Sequence, residues 1–173
     1  MPQPDFQPVL TGDLVELCPI RAEEGKEMFA VAADPGIWEG HPASDRYNEP
    51  VFREFFDAAL ASGSALTIRD RSTGRIIGSS RYHDWKPGRS EVEIGYTFLA
   101  RSHWGGTYNR EIKRLMLDHA FRFVDTVSFV VGETNIRSQR AMEKIGGVRR
   151  PGFQDRNLRG HIARHVVYEI RKP

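Results

Sequence analysis

The chain has 173 residues, 39% hydrophobic and 28% charged, enough for one compact core and unlike the composition of a disordered segment. A net charge of +2 is too small to imply nucleic-acid binding, and one cysteine, Cys18, excludes an internal disulfide or a cysteine-built zinc site and fits a reduced, cytoplasmic setting. Met1 to Val9 holds three prolines and no signal-length apolar segment, and no run of about 18 apolar residues occurs, so neither secretion nor membrane insertion is expected.

Leu14 to Ile20 alternates in part and predicts a first strand, with Cys18 as a packing residue. A helix follows over Glu23 to Ala33, stopped by Asp34-Pro35-Gly36. A second covers Pro50 to Ala61, with proline in its first turn, Val51, Phe55, Ala58 and Ala59 on neighbouring turns, and Ser62-Gly63 as its stop. From Ala65 the period changes. Ala65 to Asp70 and Ile76 to Tyr82 flank a Ser72-Thr73-Gly74-Arg75 turn and predict a hairpin. After Lys86-Pro87-Gly88 a third antiparallel strand spans Glu91 to Leu99, with Val92, Ile94, Tyr96 and Phe98 on one face and Glu91, Glu93, Gly95 and Thr97 on the other. An amphipathic helix over Asn109 to Val124 carries Ile112, Leu115, Met116, Ala120 and Phe123 at helical spacing. Val127 to Val131 predicts a buried strand, Asn135 opens a helix ending at Gly146-Gly147, and Val148 to Ile170 predicts two strands. The order defines an α/β (α+β) chain with meander strands first, and a doubly wound nucleotide fold, which alternates throughout, fits less well.

Trp104-Gly105-Gly106-Thr107-Tyr108-Asn109 stands between a strand and a helix start, where free N–H groups and the positive helix end favour an anion; the alternative is a plain tight turn. Arg110, Lys113 and Arg114 crowd that end of the helix, where the dipole disfavours cations and a bound anion would offset the cost, with Glu111 softening the charge. No lysine followed by serine or threonine completes a P-loop.

Glu93-Ile94-Gly95-Tyr96, then Trp104 to Asn109 opening a helix, then Asn135-Ile136-Arg137-Ser138 opening another that ends at Gly146, resembles the GNAT superfamily, closest to its Rim-type branch of ribosomal-protein N-terminal acetyltransferases. The resemblance implies a mixed, mostly antiparallel sheet of about seven strands flanked by helices. It also implies a single acyl-CoA N-acyltransferase domain over 10–173 after an N-terminal extension over 1–9. Acetyl-CoA is then the acetyl donor and a primary amine, on a small molecule or a protein N-terminus, the acceptor. No nucleic acid, membrane or metal is implied, and a homodimer fits the family.

Residue by residue, the resemblance assigns the cofactor to backbone groups of Phe98 and Leu99, to Trp104, Gly105, Gly106, Thr107, Tyr108, Asn109 and Arg110, and to Asn135, which also reads as a helix cap. Thr107 stands where the family has its central glycine, Asn109 where it has a final small residue, and Trp104 where it has glutamine or arginine. Glu93 is the expected base, with Glu91 as an alternative on the same face. Ser138 is expected to protonate the departing thiolate, because Met142 replaces the usual tyrosine; Tyr96, Tyr108 or solvent are alternatives. His83, Trp85 and Tyr96 are expected to line an acceptor pocket, although His83-Asp84-Trp85 also reads as a loop edge. His161 and His165, four apart on a predicted strand, are too far apart to share an ion. Two other readings stay open: a non-catalytic acyl-CoA-binding regulatory module, and a nucleic-acid-binding face of Arg137, Arg140, Lys144, Arg149 and Arg150.

Overall fold

The computed structural model describes residues 3–173. Its strands are β1 (Leu10–Thr11), β2 (Val15–Pro19), β3 (Ala65–Asp70), β4 (Ile76–Lys86), β5 (Glu91–Leu99), β6 (Thr126–Gly132), β7 (Val148–Arg149), β8 (Gln154–Leu158) and β9 (His161–Arg171). The α-helices are α1 (Gly25–Ala32), α2 (Pro35–Trp38), α3 (Glu49–Ser62), α4 (Thr107–Ala120) and α5 (Ile136–Lys144). The strands form one mixed sheet in the order β1-β2-β3-β4-β5-β6-β9-β7, with β8 on β9. Among the described residues nine strands replace the seven expected, because β1 and β7, two residues each, are too short to show a period.

The helices form for legible reasons. In α3, Phe52, Phe55, Phe56 and Ala59 recur at helical spacing and are buried, and Gly63 ends the helix in the left-handed region. The buried stripe is offset from the expected one: Ala58 is exposed and Phe52 takes the inner position. Asp34 both follows α1 and caps α2, its carboxylate accepting the Gly36 N–H at 3.0 Å, so the expected stop is also a start. The short α2 seats Trp38 in the core, where its Nε1 donates to the Ala32 carbonyl at 2.8 Å.

Two apolar layers enclose the sheet. Val15, Leu17, Leu66, Ile68, Val92, Ile94 and Phe129 pack with Ile112 and Met116 of α4 and Met142 of α5. On the other face α1, α2 and α3 pack against Ala65, Ile76 and Phe98. Phe6, ahead of β1, lies against the first layer's edge, its ring 6.0 Å from that of Tyr82.

One irregularity places the site. Arg81 pairs with Gly95 and Ser79 with Phe98, so Ser80 alone faces Tyr96 and Thr97, and Tyr96 has φ +52°. The bulge inverts the side-chain phase: Val92 and Ile94 enter the α4 layer, whereas Phe98 enters the α1–α3 layer and Tyr96 is exposed. The single apolar face expected for Val92, Ile94, Tyr96 and Phe98 is thereby corrected. Beyond the bulge β5 also parts from β6, the parallel ladder covering only Glu91–Glu93 against Thr126–Ser128.

Candidate active site

The gap opened by the parting strands contains two adjoining cavities. The larger, a solvent-open cleft of about 1050 Å³, lies between Phe98 and Leu99 of β5, the start of α4 and one side of α5. Gly105 and Gly106, at φ +118° and +105°, turn the chain into α4, and a Cβ would meet nothing at either, so conformation rather than crowding requires glycine there. Gly106 caps α4 without any side-chain bond, leaving first-turn N–H groups for a ligand. Thr107 opens the helix with no positive φ, so replacing the family's glycine leaves the turn unstrained. Its side chain is exposed, and that of Tyr108 turns onto His103, ring centroids 4.7 Å apart, so neither lines the cleft.

Trp104, Gly105, Gly106, Asn109 and Arg110 do line it. The Trp104 Nε1 donates to the Leu99 carbonyl at 2.8 Å and takes one of that oxygen's two lone pairs. Arg137 stacks on the Trp104 ring at 3.8 Å, and burial lowers its pKa. Arg114, expected to join the anion site, instead reaches Asp118 at 3.7 Å, and Arg150, expected on a basic face with Arg137, Arg140, Lys144 and Arg149, is bound to Glu91 and Glu169.

The smaller cavity, about 550 Å³, runs past Gly95, Tyr96, Gly132, Asn135 and His165. His41, Thr97, Lys113, Ser138 and Met142 line both cavities and mark their junction. Lys113 is 3% exposed and donates from Nζ to Thr97 Oγ1 at 2.8 Å, and burial pulls its pKa down to about 7. It therefore does not join the surface cations expected at the start of α4. Burial, then the Arg46 charge, lowers the His41 pKa to about 3. The neutral ring accepts the Ala43 N–H on Nδ1 at 2.9 Å, which leaves its proton on Nε2. Asn135 caps α5 through a long 3.4 Å bond from the Ser138 N–H, and Met142 is buried where the family has tyrosine.

Glu93 is 2% exposed and lines neither cavity directly. Arg156 Nη2 holds one carboxylate oxygen at 2.6 Å, and His83 Nε2 stands 3.0 Å from the other, at an angle too bent for a hydrogen bond. A Cβ on Gly95 would come within 2.9 Å of that imidazole nitrogen, so the glycine makes room for His83 rather than for a ligand. Glu91 is excluded from the site by its partners. Burial pushes its carboxyl up, the Arg150 bonds at 2.8 and 3.2 Å outweigh that, and the net shift is downward. The Tyr96 ring lines the smaller cavity, 4.8 Å from the His83 ring. Trp85 does not: it packs on Phe6 at 5.8 Å and lines neither cavity.

Lys113 and His41 are the residues the sequence reading missed at the junction. Lys113 was detectable, since it falls inside the Ile112, Met116, Leu117, Ala120 stripe; His41 lies in a turn without a local signal. Among the described residues no group of three or more His, Cys, Asp or Glu is placed to hold a metal ion, and no helix is long and apolar enough to cross a membrane. Cys18 is half-buried, with its pKa raised by burial and then by Glu16.

A mixed sheet parted beside an uncapped helix start is the architecture of an acyl-CoA-dependent transferase. Residues 15–148 match the acetyltransferase (GNAT) domain family, and the chain belongs to it. It is therefore an acyltransferase enzyme of the N-acetyltransferase class. A T. thermophilus protein assigned as an acetyltransferase is 27% identical, with a TM-score of 0.76 over 94% of this chain and 88% of that one. RimJ from Mycobacterium smegmatis, solved with CoA-disulfide, shares the fold at 20% identity and a TM-score of 0.69, over 91% of this chain and 81% of its own. Spermidine N-acetyltransferase from Vibrio cholerae, solved with CoA and spermine, shares it at 13% identity and 0.68, over 92% and 96%. No curated protein matches the chain.

Proposed function

We propose that the chain transfers the acetyl group of acetyl-CoA to a primary amine, on a small molecule or a protein N-terminus, as a Rim-type enzyme of the cytoplasm. In this reading residues 10–173 act as one acyl-CoA N-acyltransferase domain after an extension over 1–9. The observation that carries it is the junction, where a cleft headed by the uncapped α4 start meets a cavity with titratable groups on both sides.

The residues present fit acetyl-CoA. The first-turn N–H groups of α4, with Arg110 and Arg137, suit a pyrophosphate, and the edge of β5 beyond the bulge suits an extended pantetheine arm. Acetyl-CoA would supply an acetyl group activated as a thioester. His83, which lines neither cavity and stands behind the Tyr96 ring at 4.8 Å, receives the amine proton through a water, with the Glu93 carboxylate behind it and Arg156 holding Glu93 in place. His41 Nε2–H and a β5 backbone N–H beside the bulge are donors for a carbonyl oxygen gaining charge. Lys113 Nζ carries a proton for the sulfur at the position Met142 leaves vacant of an acid, with the Ser138 hydroxyl beside it. The C–N bond forms as the C–S bond breaks, and the proton lost by nitrogen is matched by one gained by sulfur.

Thiol release measured over a panel of amines tests the reading. Glu93→Gln, which removes the carboxylate charge behind His83, should lower turnover about 100-fold by weakening the proton acceptor. Unchanged turnover at every pH rejects Glu93. The buried Met142 favours a second reading, a non-catalytic acyl-CoA-binding module, which predicts calorimetric binding of acetyl-CoA with no thiol release from any amine.

A further inference from the structure

Among the described residues, two guanidinium groups beside the junction lack a counter-ion. Arg81, on the β4 face that meets α3, is 7% exposed, and its Nε and Nη2 are buried without any hydrogen-bond partner. Burial lowers its pKa, and no carboxylate acts against that shift. Arg46 lies close by, over the Phe55 ring at 4.6 Å and 5.9 Å from that of Tyr96, while Arg81 is 4.0 Å from Tyr96 and 5.7 Å from Phe55. The acidic neighbour of Arg46 is Asp45, whose carboxylate is engaged by Arg159 at 3.4 Å. Ring faces offset part of the cost of burying a guanidinium, but N–H groups left unpaired retain their desolvation penalty, and like charges in proximity add to it. A bound anion removes both costs.

The position identifies which molecule would bring that anion. Arg81 pairs directly with Gly95 in the sheet, and His83 pairs with Glu93 one step further along. Side chains two apart on a strand share a face and stand about 7 Å apart. One face thus presents the imidazole that receives the amine proton and, one step away, a planar fork suited to a carboxylate. The Tyr96 ring covers Arg81 and is itself 39% exposed, so rotation of one side chain opens the fork to the smaller cavity.

We infer that Arg46 and Arg81 form a carboxylate-binding subsite, and that the acceptor is a small zwitterionic amine whose carboxylate lies a few atoms from the reacting nitrogen. The inference rests on the acetyl-transfer reading and narrows it: polycations are repelled from the same face.

The test compares free α- and ω-amino acids with their carboxamides and with spermidine, by thiol release in wild type, Arg46→Met, Arg81→Met and Arg81→Lys. Wild type should prefer acid over amide by roughly 10- to 100-fold in kcat/KM, as for a charge-assisted bidentate pair, with spermidine the poorest. The ratio should fall to near one in both Met variants, chiefly through KM, and partly recover in Arg81→Lys. Calorimetric binding of the N-acetyl acids and N-acetyl amides gives a readout free of turnover; acids should bind wild type and not Arg46→Met, a substitution on a half-buried turn. Equal use of acid and amide, preference for spermidine, or a preference that survives both Met variants overturns the inference and leaves acetyl transfer standing. Binding of the N-acetyl acids with no thiol release from any amine does the opposite.

Discussion

Lys113 shows how one buried side chain couples chemistry to stability. Its folded pKa of about 7 lies below the ordinary lysine value of about 10.4, because burial disfavours the ammonium. Between these values the unfolded chain holds a proton that the folded chain does not, so stability rises with pH across that window and is lowest below pH 7. Relative to Lys113→Met, the wild type should gain about 2 kcal/mol between pH 7 and 9 in urea unfolding. Parallel curves would show that Lys113 titrates normally. If its proton reaches the sulfur, turnover should also fall above about pH 7, and that limb should vanish in the variant. Gly95→Ala addresses the opposite side of the junction. The new Cβ would press on the His83 ring at 2.9 Å while the backbone stays in an ordinary region, so the ring tip yields rather than the fold. Thiol release should drop about 10- to 100-fold, as for a 1 Å misplacement of a reacting group, with the melting temperature nearly unchanged. At this scale the sequence identified residue types but not their partners: Glu93 was legible as a candidate, whereas its bond to Arg156 and its contact with His83 come from positions 63 and 10 residues away.

At the scale of elements, period and punctuation were reliable where an element had one face and a clear stop. Helices α3, α4 and α5 lie within a few residues of their expected spans because Gly63, Gly106 and Asn135 mark their ends. β5 was misread halfway along, since a bulge adds one residue without changing composition, and only the Gly95-Tyr96 pair hinted at it. Glu111 in α4 gives a second example. Its place in the sequence suggests only a charge beside the anion site, yet its carboxylate accepts the N–H groups of Asp13, Leu14 and Val15 at 2.8, 2.8 and 2.9 Å and ties α4 to the start of β2. Gly12 lets this carboxylate approach, since a Cβ there would meet Glu111 Cδ at 2.5 Å. Glu111→Ala should therefore cost about 2–3 kcal/mol of unfolding free energy, through the partly buried N–H groups left without an acceptor. A change within about 0.5 kcal/mol, typical of surface sites, would show that water replaces the carboxylate.

Across the whole molecule, the β8–β9 hairpin joins segments that the sequence gives no means of relating. Its tip residue Arg159 reaches Asp45 at 3.4 Å and Glu54 at 3.5 Å, while Arg156 on the same hairpin holds Glu93, so the C-terminal strands are tied to β5 and to α3 beside the smaller cavity, the acceptor side in the proposed reading. Such pairings, 114 residues apart for Arg159 and Asp45, leave no trace in a local period, and the adjacency of β9 to β6 is equally invisible to it. The Arg159 pairs are exposed, and exposed ion pairs contribute about 0–1 kcal/mol, so Arg159→Ala should leave global stability nearly unchanged. Its effect should appear instead where the hairpin meets the site. Loss of the tip contacts frees Asp45 to pair with the adjacent Arg46 and loosens the hairpin, so KM for the amine should rise several-fold while calorimetric affinity for acetyl-CoA, bound on the other side of the junction, stays the same. Raising salt should weaken the wild type toward the variant, because the Debye length falls from about 8 Å at physiological ionic strength to about 3 Å at 1 M, comparable to the spacing of these exposed charges. Equal changes in KM for both substrates would instead assign the hairpin a general structural role.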